Sequence, residues 1–403
     1  MKREVYSYRT VMTTLNITQN KVDSVRKKDI TKTGCRVYEN GFVGISGCFG
    51  EPTEETWKAA EENLELRIPY SYPLESGKVR TEDRREQMLT EQQFLEQSEA
   101  MLEQLSRENP KFIFSNKLFM VDVTETLTGE AGLRYEYKDR YYIFSVIFKH
   151  LDSNAVFDGG FGMEGRTFDT ETFLRDAHCQ LEAYQNPVEL PEGKTLPVVL
   201  DFYNLGGKFQ EGLSAEALGK GTSIFDGKLG KTLFSPEFTL SVDRSAENIG
   251  TAFFDPEGST LEKDQLPLIE NGVLKRGYCD KKNAAEFGFE NTACADGGYD
   301  DVPSLGCCGF RLAPSGKTLA ELLNGEEAIL IDTMSGGDWT AEGNFASPVQ
   351  LAYLVRDGKP VGRLPEFGLS GNLYELFGKD YRGVTADKPF FNDRKLVVNM
   401  KKN

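Results

Sequence analysis

Val37-Tyr38-Glu39-Asn40-Gly41-Phe42-Val43-Gly44-Ile45 (VYENGFVGI) sets two runs of β-branched and aromatic residues on either side of Asn40-Gly41. A two-residue hairpin turn needs positive φ at both central positions, and Asn-Gly meets that need at low steric cost. The stretch predicts two antiparallel strands joined by a tight turn. Upstream, Glu4-Val5-Tyr6-Ser7-Tyr8 shows the same alternation of polar and apolar residues, so the first fifty residues read as strands.

Downstream the pattern changes period. Thr53, followed by Glu54, Glu55 and Trp57-Lys58-Ala59-Ala60, predicts a capped helix start. A longer helix is expected from about Thr90 to Arg107, apolar at Phe94, Met101, Leu102 and Leu105 and stopped by Asn109-Pro110. Strand-like runs follow at Phe112-Ile113-Phe114, Leu133 to Tyr137 and Tyr141 to Phe148 (YYIFSVIF). Then comes a helix from Asp169 to Tyr184, with Phe173, Leu174, Ala177 and Leu181 on one face. Asn186 to Pro197 (NPVELPEGKTLP), with its prolines and glycine, marks a boundary between a domain at 1–190 and one at 191–403.

In the second domain, Val198-Val199-Leu200, Thr239-Leu240-Ser241-Val242, Ala328 to Ile331 and Leu351 to Val355 read as strands, with one clear helix near Thr318 to Leu323. Asn271-Gly272 and Asp357-Gly358 repeat the hairpin signal. The fold class is therefore α+β: an N-terminal α/β domain with an antiparallel sheet and helices, then a β-rich, antiparallel, barrel-like C-terminal domain.

The chain has 403 residues, 39% of them hydrophobic and 27% charged, enough to bury two cores. Its 63 acidic against 47 basic side chains give a formal charge of -16, which repels phosphate backbones. Lys27-Lys28 and Arg84-Arg85 are flanked by acids and Lys401-Lys402 reads as a solvated tail, so no nucleic-acid partner is expected. Met1-Lys2-Arg3-Glu4-Val5 is followed by no signal-peptide core, and YYIFSVIF falls far short of the roughly 20 residues of a membrane span, so a cytoplasmic protein without a membrane partner is expected. Seven cysteines (35, 48, 179, 279, 294, 307 and 308) without a CxxC pair suit a reducing compartment, and Cys307-Cys308 reads as two small apolar fillers.

Two histidines restrict the chemistry. His178 has Glu182 at i+4 on one helix, a spacing that reads as an ion pair before it reads as half a metal site, and His150 closes an aromatic strand. Gly160, Gly162 and Gly165 spell G-x-G-x-x-G, yet Arg166, Thr167 and Phe168 intervene before the helix and Glu182 falls inside it. A dinucleotide fingerprint needs a strand joined directly to a helix, so the segment is expected to be a flexible loop. No P-loop or G-x-S-x-G elbow occurs, and Asp300-Asp301 reads as a solvated acid pair.

Five blocks in order carry a resemblance: Thr222 to Phe234 (TSIFDGKLGKTLF), Ala252 to Gly258 (AFFDPEG), Ile269 to Gly277 (IENGVLKRG), Ala341 to Gly358 (AEGNFASPVQLAYLVRDG) and Gly368 to Leu376 (GLSGNLYEL). With them the chain resembles the TldD/PmbA family, formerly called modulators of DNA gyrase, and within it the TldE/PmbA-like branch. In the family's TldD branch, a His-Glu-x-x-x-His segment and a C-terminal cysteine look like zinc ligands, with the glutamate as general base. The matching stretch here is Ala215-Glu216-Ala217-Leu218-Gly219-Lys220, and the tail after Tyr381 has no cysteine. Alanine has no donor atom, and lysine, with a reference pKa near 10.4, brings a charge where a neutral ligand is needed.

The resemblance thus implies a degenerate site. Glu216 is its only retained family position, and no catalytic residue, metal or cofactor is expected in this chain. Glu216 is left to hold a helix end, pair with Lys220 or line a channel. The resemblance further implies a non-catalytic subunit of a TldD/TldE-type zinc metalloprotease complex acting on peptides and unfolded polypeptides, paired with a zinc-bearing TldD-like subunit or with itself. The alternative is a stand-alone homodimeric peptide-binding or regulatory protein, a gyrase modulator included.

Overall fold

Strand β1 (Lys2–Thr18) runs antiparallel to β2 (Lys21–Glu39), and Asn40-Gly41, with φ of 52° and 82°, turns β2 into β3 (Phe42–Phe49) in a computed structural model that describes residues 1–403. Thr53 then caps α1 (Glu54–Glu62) through a reciprocal exchange with Thr56. Short strands β4 (Ile68–Pro69) and β5 (Val79–Asp83) lead to α2 (Glu91–Glu108), capped by Thr90 with Gln93 in the same way. The three strand-like runs that follow are two long strands, β6 (Phe112–Gly129) and β7 (Leu133–His150). Lys138-Asp139-Arg140 does not interrupt β7, because Asp139 turns inward and accepts from the Tyr137 hydroxyl at 2.8 Å and the Arg166 guanidinium at 2.7 Å.

Next come β8 (Gly159–Gly165) and α3 (Thr170–Tyr184), and the sheet runs β4-β3-β2-β1-β6-β7-β5, with β8 also on β7. Only β5 pairs with its neighbour in parallel. The glycine-rich stretch expected to be a flexible loop is a strand: Gly159 to Gly165 pair with Phe148 to Tyr142, and Phe161 and Met163 drop into the core while Gly162 and Glu164 face out. Glycine weakens strand propensity, so only this alternation signals it.

In the second half, β9 (Thr195–Leu200) is followed by α4 (Tyr203–Gly212), α5 (Ala215–Gly219), β10 (Leu240–Asp243), β11 (Gln265–Glu270), β12 (Val273–Leu274) and α6 (Lys281–Phe287). Short strands β13 (Ala295–Asp296), β14 (Ser304–Leu305) and β15 (Phe310–Leu312) precede α7 (Leu319–Leu323), β16 (Ala328–Met334) and β17 (Asp338–Trp339). The chain continues through β18 (Asn344–Arg356), β19 (Lys359–Arg363), β20 (Phe367–Asn372), α8 (Leu373–Leu376), β21 (Tyr381–Val384) and β22 (Leu396–Lys402). Strands β16-β9-β22-β20-β18 form a five-stranded barrel, closed by pairing of β18 with β16. Its one parallel pair is β16 with β9. The turns at Asn271-Gly272 and Asp357-Gly358 adopt positive φ at both positions and join β11 to β12 and β18 to β19.

The single helix expected in this half is joined by α4, α5, α6 and α8. Helix α4 contains Gly206, Gly207 and Gly212, which lower its intrinsic propensity. It persists because Leu205 and Phe209 are fully buried, and because a side chain at Gly212 would meet the Phe225 ring at 2.7 Å.

Two large cores share the barrel strands. Val198, Leu200, Ile329, Leu354, Leu396 and Val398 pack with Phe209, Phe225, Phe238 and Phe377. Their neighbours Val199, Leu330, Tyr353 and Val397 join Phe94, Phe144, Phe148 and Phe173 from the N-terminal sheet and helices. Each such buried side chain contributes roughly 1.5–3 kcal/mol relative to exposure. No helix is long and apolar enough to cross a membrane.

Candidate functional site

Ser214 starts the short helix α5, its hydroxyl accepting from the Ala217 N–H. The turn is tied to the chain near α6: the Ala215 N–H donates to the Tyr278 carbonyl at 3.0 Å and the Tyr278 N–H to the Leu213 carbonyl at 2.8 Å. Ala215 is fully buried. At Gly219 a side chain would meet the Phe287 ring at 2.3 Å, so only glycine lets the turn approach α6 this closely.

Lys220 follows the last helical residue, and its ammonium bonds the Glu216 carboxylate one turn back. Both side chains are more than half exposed. The lysine partner holds the Glu216 carboxyl below its usual value, and Glu216 raises Lys220 in return. Glu216 also lies in the first turn of α5, where a carboxylate suits the helix N-terminus. The pair edges a cavity of about 660 Å³, to which α4 contributes Gly207, Gln210 and Glu211. Tyr278 closes one side. Its hydroxyl donates to the Gln210 carbonyl at 3.0 Å, and burial pushes it up to about 12.

The donor set at this turn does not fit zinc. Ala215 offers no ligand atom, Lys220 presents an ammonium, and the one carboxylate is engaged by that ammonium. Elsewhere, no three His, Cys, Asp or Glu side chains converge in a metal-binding arrangement. His178 sits on α3, its Nε2 3.4 Å from Glu182 and its Nδ1 3.1 Å from the Asn109 side-chain oxygen. At the end of β7, the His150 Nδ1 accepts from the Asp152 N–H. The turn can therefore line a polar surface and fix its charges.

Sequence reasoning passed over several buried ionisable groups. In AFFDPEG, Asp255 is fully buried and accepts from the N–H groups of Glu257, Ser259 and Ala295. Glu257, pushed up to about 7 by burial, accepts from the Tyr70 hydroxyl and the Lys281 N–H. Glu125 on β6 is likewise raised by burial to about 7 and bonds the Tyr6 hydroxyl at 2.9 Å. Arg36, also buried, donates to the Pro256 carbonyl. The Arg36 and Tyr70 bonds tie the loop at 252–260 to the N-terminal half. No local signal marks this burial, because Asp-Pro-Glu-Gly has the composition of an ordinary solvated turn and the groups that cover it lie far along the chain. Cys294 and Cys308 shift each other in opposite directions, the Cys294 thiol holding Cys308 below the usual thiol range while Cys294 itself is raised.

A family model described as the PmbA/TldA metallopeptidase C-terminal domain matches residues 193–396. A TldD-homologue metalloprotease of Buchnera aphidicola subsp. Acyrthosiphon pisum is 31% identical over 194 residues, 46% of this chain and 40% of that protein. The fold is shared across all of this chain and 96% of TldE from Thermococcus kodakarensis, at a TM-score of 0.79 and 19% identity. It is also shared across all of this chain and 95% of a protein from Thermotoga maritima proposed to modulate a DNA gyrase, at a TM-score of 0.82 and 19% identity. The model match spans more than half of the sequence and contains the Glu216 turn, all five quoted blocks and the barrel up to its last strand. The chain belongs to the metalloprotease-related TldD/PmbA family.

Proposed function

We propose that the chain is a non-catalytic, TldE-like subunit of a TldD/TldE-type zinc metalloprotease complex that acts on peptides and unfolded polypeptides. One observation carries the reading. Where the TldD branch is expected to place its ligands and general base, Ala215 is buried without a donor and Glu216 is tied to Lys220. Zinc and water activation then fall to a TldD-like partner, and this chain contributes scaffold and polypeptide-binding surface.

The test is reconstitution. Alone, with zinc added, the chain leaves an unfolded polypeptide uncut; mixed with a TldD-like subunit it co-elutes and the polypeptide is cleaved. A general base contributes about 10²–10⁴-fold, so Glu216→Ala leaving cleavage within about twofold fits a role outside the chemistry. Loss of turnover by that variant at unchanged assembly overturns the reading, as does chelator-sensitive cleavage by the isolated chain. A homodimer that binds peptide and ignores every TldD-like subunit supports the stand-alone alternative.

A further inference from the structure

A second cavity, of about 1,070 Å³, opens between the two halves of the molecule. One wall is the end of β8 from Gly162 to Gly165, and the other includes the segment around Lys388 to Arg394. Strand β8 hydrogen-bonds to β7 through one edge only. No other segment bonds the backbone of Gly160 to Glu164, so every second residue there leaves an N–H and a C=O without a backbone partner. Sheet edges are ordinarily protected by lysine, proline or a covering element. Here the exposed positions are glycines and Glu164, and a Cβ placed on Gly162 would meet nothing within 4 Å.

The facing wall holds three cations. Arg311 and Arg394 share the Glu247 carboxylate, and Arg311 also reaches Asp243. The Arg394 Nε is buried without an acceptor. Lys388 makes no ion pair or hydrogen bond; burial lowers its affinity for a proton, and Arg394 nearby lowers it further. Of the acids close by, Asp393 is already bonded to Lys395, which leaves Glu86 as the remaining counter-charge. Phe391 and Asn392 hold the turn between Lys388 and Arg394 at φ of 50° and 57°, and the Phe391 N–H is fixed by the Asp176 carboxylate at 2.7 Å. Left-handed non-glycine residues are retained where surrounding contacts hold them, often beside ligands.

We propose that this cleft binds the C-terminal end of an extended polypeptide, its main chain pairing with the free edge of β8 at Gly162 to Gly165 and its terminal carboxylate lying between Lys388 and the Arg394 Nε. The edge accepts almost any sequence, because it reads backbone. Selectivity is then for a chain end over an internal segment. The inference rests on the reading that this subunit handles polypeptides, but it concerns a surface separate from the Glu216 turn.

Fluorescence anisotropy on the isolated full-length chain tests it. The probe is an unstructured, proline-free decapeptide labelled at its N-terminus, made with a free C-terminal carboxyl, as the C-terminal amide, and as the free acid with alternate backbone amides N-methylated. The free acid binds at least about tenfold more tightly than the amide, the scale of one charge-assisted contact. Lys388→Gln removes that preference, and since Lys388 makes no bonds in the fold its thermal melting matches the parent. N-methylation weakens binding to both proteins. Equal affinity for acid and amide overturns the proposal, as does an unchanged preference in Lys388→Gln, undiminished binding of the N-methylated acid, or no binding at all. Cleavage by the reconstituted complex reads the subunit assignment separately, so the two can fail independently.

Discussion

Replacing Glu125 by glutamine separates the charge of a buried acid from its shape. Glu125 is 8% exposed on β6 and accepts from the Tyr6 hydroxyl, a bond that a glutamine oxygen can also accept. Burial is the largest influence on its carboxyl; the hydrogen bond from Tyr6 and the charge of Arg244 only partly oppose it. The unfolded carboxyl ionises near 4.5, whereas the folded one keeps its proton to about 7. The native state therefore binds the extra proton between those values. The stabilisation this gives is complete below 4.5, shrinks as the pH rises, and is gone above 7. At about 1.36 kcal/mol per pH unit the interval is worth about 3 kcal/mol at most. Glutamine copies the protonated form at every pH. Urea unfolding, followed by the fluorescence of Trp57 and Trp339, should give nearly equal stabilities for parent and Glu125→Gln at about pH 5, and a variant more stable by up to about 3 kcal/mol at about pH 8. A gap that stays constant with pH would refute the reasoning, because desolvation of a charge would then not govern this position.

Three further outcomes follow from packing and capping. Phe209→Ala empties the centre of an aromatic cluster, where its ring lies 4.8 Å from Phe377 and 5.5 Å from Phe238, and calorimetry should show a loss of about 3–5 kcal/mol. Arg84→Met strands the carbonyls of Arg244, Ser245 and Thr251, which the guanidinium now reaches at 2.8 to 3.1 Å, and should cost about 3 kcal/mol in denaturant unfolding. Gly219→Ala drives a methyl into Phe287, so its melting temperature should fall, whereas Lys220→Ala, which loses only an exposed pair, should melt like the parent.

The hairpins and long helices were legible because their signals are local. Asn40-Gly41, Asn271-Gly272 and Asp357-Gly358 each specify their own turn, and Thr53, Thr90 and Asp169 each cap a helix within three residues. What escaped the reading depends on partners far along the chain. Gly159 to Gly165 becomes a strand only because β7 offers it a ladder, and α4 is a helix only because Phe209 has a core to enter. At the Glu216 turn, the sequence shows which side chains are present. It does not show that Ala215 is buried, or that a side chain at Gly219 would strike Phe287. The cleft beside β8 was illegible for the same reason: Gly162 and Lys388 lie more than two hundred residues apart and meet only across the junction of the two halves.

The barrel has a consequence for how the protein is made. Strand β9 is sandwiched between β16 and β22, with Val199 opposite Val397 on one side and Leu330 on the other. At translation rates of about 5–20 residues per second, the stretch between Val199 and Val397 takes on the order of 10 to 40 s to emerge. During that interval the apolar run Thr195 to Leu200 has both edges unmet until β16 emerges and one edge unmet until β22 does, a segment of the kind that seeks other strands. The nascent chain thus has a built-in period of stickiness that ends only when β22 arrives. Chaperone occupancy should concentrate on the chain between the synthesis of those two strands.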